Sequence, residues 1–503
     1  MNRLTSRQRK LLYAVGIIVL LGPIVYLGFP VQQSVHGATS TGLGKLGHLR
    51  QDYDLGEATL GEVDPSSSVM NLVLLGLRGP AASLLHLKAI EYQEHKQWAK
   101  LRTTVDSIIL LQPHYVQIWK FQGWNLAYNV SREWDQVDDR FYWVKEGIKF
   151  LEVGTSRNET VPIMEHNVGE VIEKKMGTSD EKKFFREFFV HDPDEKFKDP
   201  KSGIHGADPK INPGSKDSYL VARDHYLVAN VKDDNDGLVE VDGMTHVFFR
   251  QGPAKAMLNY AEALTKEGTF FGDGASPEPG NDVNKPTAAE PQNRQSTATA
   301  RHWQQGYDEW MGEKPGLETS YGKYVFLGRD NHGYMLNSSE KDLENMAQEN
   351  GIDLREQRDV WSRSVDMVNY RFWRDYAQME SDPIVIEAHK SFFDAKRAYA
   401  EGRGYDPTDP TDGSLQISEA QKMLEVSMRD WQQALTKYER FYADNTSYLE
   451  EAMLVVRYWQ AVHLLNGKPV ATDYPLKNVW ENNGDQHLAI DHLFLMETRS
   501  QRK

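Results

Sequence analysis

The sequence contains no cysteine. That absence removes disulfide bonds, thiolate metal ligands and thiol nucleophiles together, so packing and polar contacts alone must hold the fold. It also lacks any long basic cluster beyond the first ten residues, and its formal net charge is −15, from 58 Lys and Arg against 73 Asp and Glu. Phosphate binding needs a basic footprint, so nucleic acid is not an expected partner. Neither H-E-x-x-H nor G-x-S-x-G occurs, the local patterns that bring a base to a metal or to a nucleophile. An enzyme built on this chain would have to draw on dispersed carboxylates and histidines. No catalytic residue, cofactor or metal ligand is assigned from the sequence.

Four apparent motifs dissolve on inspection. Gly42–Gly47 reads GLGKLG, but a polar tether and an apolar run precede it, not the buried strand that a dinucleotide fingerprint requires. In Gly316–Tyr324 the glycines are one residue too far apart for a phosphate loop, and Tyr324 stands where a Ser or Thr would hold magnesium. Aligning Gly237 of DDNDG with the glycine of a calcium loop puts Lys232 and Gly243 at two essential ligand positions, so a polar turn is expected instead. His487 and Asp491 share a helix face, but two neighbouring ligands are half a zinc site.

What is present begins at the N-terminus. Residues 1–10 carry Arg3, Arg7, Arg9 and Lys10 without an acid, and the nineteen residues from Leu11 to Phe29 carry no charge. As a helix that run reaches roughly 28 Å, close to the thickness of a hydrocarbon core. The expectation is a single-pass helix at 11–29 in the cytoplasmic (inner) membrane, with the basic end in the cytoplasm and the bulk of the chain extracytoplasmic or periplasmic. The alternative is a cleaved signal peptide, whose apolar region runs about 7–15 residues. Residues 30–68, rich in Gly, Ser and Thr, read as a tether with one short helix at most.

From Val69 apolar residues recur three and four apart, and the segment 69–190 reads as helices joined by short turns. Leu85 and Trp119, Ala89 and Gly123, and Tyr92 and Leu126 are each 34 residues apart, with Pro113 closing the first unit. In this register the stretch from about Ala82 to Leu151 resembles a divergent tetratricopeptide array. Lys88 and Gln122 depart from that pattern where it has Leu, and Leu101 and Val105 replace its Ala and Phe. The resemblance implies paired helices that stack to present a concave, non-catalytic surface to a peptide or protein partner.

Tyr115, Trp119, Phe121, Trp124 and Tyr128 crowd one helix of that array. At about 100° per residue, Tyr115, Trp119 and Leu126 share one face, while Phe121, Trp124 and Tyr128 share the other. A solenoid helix needs two buried stripes, so core packing is expected. The competing reading is an aromatic platform of Trp119, Trp124 and Tyr128 that stacks on a ligand.

Ser131 reads as the N-cap of the next helix, and Thr178 or Ser179 as the cap of another. Segment 191–267 combines a long surface loop, a β-hairpin signalled by Asp242–Gly243 within GLVEVDGMTHVFF, and a helix stopped by Gly268. Residues 268–300 read as a disordered insertion. Residues 301–503 read as a C-terminal helical domain of aromatic-rich hairpins. The fold expected is mainly α: helical hairpins or a solenoid behind a transmembrane helix, with a small β-hairpin and long loop insertions. The function expected is a membrane-anchored scaffold for a protein partner, with an extracytoplasmic enzyme or an aromatic ligand-binding module as alternatives.

Overall fold

The computed structural model describes residues 31–35, 38–42, 78–236, 246–270, 298–312, 320–328, 332–408 and 416–500. The expected span at 11–29, most of the tether, the Asp242–Gly243 turn and most of the 268–300 insertion lie outside the described residues. Among the described residues no helix is long and apolar enough to cross a membrane.

Met1–Leu84 separates as one unit. Its described part holds an antiparallel hairpin, β1 (Val31–Val35) paired with β2 (Ala38–Gly42), where the sequence suggested a tether with at most a short helix. The rest of the chain, Leu85–Lys503, forms a second unit and is mainly helical, as expected.

In chain order the helices begin with α1 (Arg78–Glu94), α2 (Trp98–Leu111), α3 (Val116–Trp124), α4 (Val137–Arg157) and α5 (Pro162–Val171). Both α3 and α5 continue into a π-helical turn, at Asn125–Val130 and Ile172–Gly177. Short connections between these helices follow the hairpin pattern of the sequence. The α3–α4 contact is made backbone to backbone. A Cβ on Gly123 would lie 2.4 Å from Leu151, and one on Gly147 would lie 2.7 Å from the Gly123 carbonyl. No larger residue fits at Gly147 without moving a helix, because the obstacle is backbone, whereas at Gly123 it is the Leu151 side chain that would have to give way.

Next come α6 (Lys182–Val190), α7 (Ser218–Asp236), α8 (His246–Arg250), α9 (Gly252–Glu267) and α10 (Ala298–Met311). Gly268 closes α9 in the left-handed conformation, φ 74°, as its position after the last apolar residue requires. Phe141, Ile148 and Leu151 of α4 join Val168 of α5, Phe185 of α6 and Tyr226 of α7 in one core.

A two-residue ladder, β3 (Phe326–Leu327) with β4 (Gly333–Tyr334), precedes α11 (Glu340–Asn350) and α12 (Leu354–Met367). The chain then forms α13 (Tyr370–Glu380), α14 (Pro383–Ala400), α15 (Glu419–Lys437), α16 (Glu439–Asp444), α17 (Glu450–Leu465), α18 (Lys477–Asn482) and α19 (His487–Ser500). A second core, with Trp303, Trp310 and Trp431 buried in it, runs through this half.

Several expectations are corrected. His246–Phe249, the expected return strand, is helical as part of α8. His246 and Arg250, one helical turn apart, both reach Asp233 from the same side of α8. Asp233 is therefore in the last turn of α7, buried, and not in a polar turn. Ser131 does not cap α4: its hydroxyl donates back to the Ala127 carbonyl at 2.7 Å, and α4 starts only at Val137. Thr178 and Ser179 likewise donate to Lys174 and Lys175 carbonyls, closing the turn behind them instead of opening α6. The stretch 360–380 is two helices, α12 and α13, broken where Asn369 adopts φ 51°. At the end of the 268–300 insertion, Ala298–Ala300 already belong to α10 and are buried.

The loop between α6 and α7 is better described as a strap than as a surface loop. Asp192, Asp208 and Asn212 are each at most 2% exposed. Asp192 accepts a 2.6 Å bond from Lys145 of α4, a pair buried on both sides, and Asp208 pairs with Lys149 at 2.8 Å. The Lys145 ammonium also lies 5.2 Å from the centre of the strap's Phe197 ring. Asn212 donates to the carbonyls of Phe189 and Lys216 and accepts from the Lys216 amide. Breaking one side of a buried ion pair strands a charge in a poorly solvating interior. Lys145→Met should therefore lower stability by about 3–5 kcal/mol. Urea unfolding of wild type and variant measures this, and a loss below about 1 kcal/mol would show that the strap is not held by this pair.

Candidate functional site

The helix carrying the aromatic cluster keeps one of its two aromatic faces in the core and leaves the other open, where two buried stripes were expected. Trp119 is 3% exposed, leans on Phe150 with ring centres 4.9 Å apart, and donates its indole N–H to the Pro113 carbonyl at 2.8 Å. It is a core residue and drops out of the platform. Trp124 is 50% exposed and stacks on Tyr128, with ring centres 4.8 Å apart and planes 13° from parallel. The Lys175 ammonium lies 4.7 Å from the centre of the Tyr128 ring. Burial, followed by the charge of Glu170, pushes the Tyr128 hydroxyl well above its ordinary pKa, so it stays protonated.

Trp124, Phe121 and Tyr128 open onto a groove of about 710 Å³. His86 and Gln93 come to it from α1, Gln117 and Lys120 from α3, and Asn167 and Glu170 from α5, while α2 supplies no lining residue and α4 supplies only Leu151. The groove thus belongs to the first helix of each successive hairpin. Its floor is apolar and aromatic, and its walls carry side-chain amides and charges of both signs. His86 is tied to the Tyr115 hydroxyl at 2.9 Å, lies edge-on to Phe121, and has its pKa lowered by burial. Lys174 pairs with Glu170.

A second concavity lies in the C-terminal half. It has a volume of about 440 Å³ and gathers side chains from α9, α13, α14, α15 and α17. On its wall His389 of α14 bonds through Nδ1 to Glu451 at 2.7 Å and through Nε2 to Glu380 at 3.0 Å. The ring is set edge-on to Trp431. Burial alone would lower the His389 pKa, but the charges of Glu451 and Glu380 and the bonds to them outweigh it and push it up to about 10. Dispersed carboxylates and a histidine do meet here. With both nitrogens donating, however, the imidazolium has no lone pair with which to act as a base.

The remaining sequence candidates go to separate partners. His487 donates to the Trp480 carbonyl at 2.9 Å, and Asp491 pairs with Arg457. Among the described residues no group of three or more His, Asp or Glu side chains is arranged to hold a metal ion. The Glu380–His389–Glu451 array was not read from the sequence. His389 and Glu380 are nine residues apart and His389 and Glu451 are 62 apart, and no local pattern joins them. No protein-family model, no curated protein and no solved structure matches the chain.

Two outcomes follow. Trp119→Ala should cost about 3–5 kcal/mol in stability, whereas Trp124→Ala should cost about 1 kcal/mol, the worth of an exposed stacked pair. Denaturant unfolding compares the two, and equal losses would place Trp124 in the core. The charge on His389 should persist well above neutrality. Its contribution to stability is complete below the unfolded-state pKa of 6.5 and is lost as pH rises through about 10. In a ¹⁵N-histidine NMR spectrum at about pH 8.5, assigned by comparison with His389→Gln, both ring nitrogens should carry protons, and a neutral ring would contradict the ion array.

Proposed function

We propose that this chain is a membrane-anchored scaffold that captures an extended segment of a partner protein. In this reading residues 11–29 span the cytoplasmic membrane with the basic N-terminus inside, and the helical array works on the extracytoplasmic side. The tetratricopeptide-like register of residues 82–151 is part of the same reading, because the resemblance implies paired helices that present a concave surface to a peptide or protein partner.

The observation that carries the proposal is the groove lined by α1, α3 and α5, with the Trp124–Tyr128 stack open to it. Its composition suits a polypeptide. Gln93 and Gln117 offer amide donors and acceptors of the kind a peptide backbone needs, and Trp124 offers a flat apolar face for a side chain. Lys120, Lys174 and Glu170 bring both signs of charge, which suits a partner of mixed charge better than a polyanion. The catalytic alternative has less support, since the histidine in the other concavity has both nitrogens committed.

The test is crosslinking in intact membranes with a tag after Lys503, followed by mass spectrometry. Wild type should recover a reproducible protein partner whose crosslinks map to α1, α3 and α5. Trp124→Ala, which leaves the core intact, should lose most of that partner. Recovery of the bait alone, or equal recovery by the variant, would overturn the groove as the docking site.

A further inference from the structure

The helix α19 is apolar on its outer face as well as on its inner one. Inward, Ile490 and Phe494 join the second core, with Phe494 edge-on to Tyr458, and Asp491 pairs with Arg457. Outward, Leu488, Leu495 and Met496 are 84%, 46% and 56% exposed, and Ala489 and His492 among them are exposed too. A contiguous apolar stripe left in water marks a surface that another molecule covers.

The order of its residues says what fits there. Around His492, Ala489 and Leu495 stand three positions away on either side, Leu488 and Met496 four, and Asp485 and Arg499 seven. Asp485 lies in the tight turn, Gly484–Gln486, that runs directly into α19. At about 100° per residue all six fall within about 60° of His492, so they form one stripe about 21 Å long. A second copy laid antiparallel about a two-fold axis at His492 sets each residue against its counterpart. Leu488 then meets Met496, Ala489 meets Leu495, and Asp485 faces Arg499 at both ends. Both of those charged side chains are exposed, and neither has an ion-pair partner among the described residues. Self-matching of this kind is what a closed two-fold contact requires, because the same patch must serve as both sides.

The charge of the chain points the same way. At a formal −15, two copies repel over most of their surface, so they can meet only where charges are locally balanced. The stripe carries one acid and one base, at opposite ends. A partner of a single sign would be repelled at one of them. We infer that the outer face of α19 is a contact between two copies of this chain, packed antiparallel about His492, with an apolar centre and an Asp485–Arg499 pair at each end. One helix face per copy is small for a permanent dimer, which places the association in the weak, reversible class. The surface is separate from the groove at α1, α3 and α5, and its test does not depend on the protein partner.

The experiment is sedimentation velocity of the full chain in detergent between about 1 and 200 µM, a range that resolves weak dimers. Wild type should pass from monomer to dimer. Asp485→Arg and Arg499→Asp each set like charges against each other at both ends, so each should raise the dissociation constant about tenfold. Combining them restores opposite charges and should restore the dimer. Leu488→Lys should abolish it across the whole range. All three positions are exposed, so every variant should melt at the wild-type temperature. Because the chain has no cysteine, His492→Cys places a single thiol per copy at the axis. Oxidation of cells expressing this variant should link two copies by a disulfide, whereas Lys422→Cys, exposed on α15, should not. A monomer at every concentration, no recovery in the double variant, or capture by the His492→Cys thiol of a different protein in place of its own copy would each overturn the inference.

Discussion

The architecture around the groove depends on the contact between α3 and α4, where Gly147 meets the carbonyl of Gly123 with no side chain between them. A helix held that close cannot rotate about its axis. The rotation it is given sends Trp119 inward against Phe150 and leaves Trp124 and Tyr128 on the outer face. One steric constraint thus decides which aromatic residues build the core and which line the open groove. The hairpin that follows places α5 beside α3, and the π turns that end both helices extend the aromatic and charged lining by another step.

The two concavities solve different electrostatic problems. In the groove, opposite charges are paired near solvent and the aromatic stack is open. In the C-terminal cavity the ions are locked inward. The Glu380–His389–Glu451 array ties α13, α14 and α17 together across the second core, and its geometry fixes both carboxylates.

The sequence reveals what is periodic and local. The helical hairpins, the two faces of the aromatic helix, and the stop at Gly268 all follow from spacing and from backbone freedom. What it conceals is tertiary. Ser131 and Ser179 carry good capping side chains, yet hydrogen bonds to preceding carbonyls use them to end helices, and a one-dimensional pattern does not distinguish the two uses. The segment His246–Arg250 looks like a strand until Asp233 supplies a buried partner for one helical face. Of the three platform candidates, Trp124 and Tyr128 face the groove and Trp119 does not. The His389 array escaped notice because its members come from three helices, and side-chain identity alone does not say which acids will meet.

The strap has a consequence for biosynthesis. Lys145 lies inside α4, but the carboxylate that neutralises it, on Asp192, is 47 residues further along the chain. During synthesis at about 5–20 residues per second, α4 emerges seconds before its counterion. Until then its inner face carries an unmatched cation, and packing it away would strand that charge.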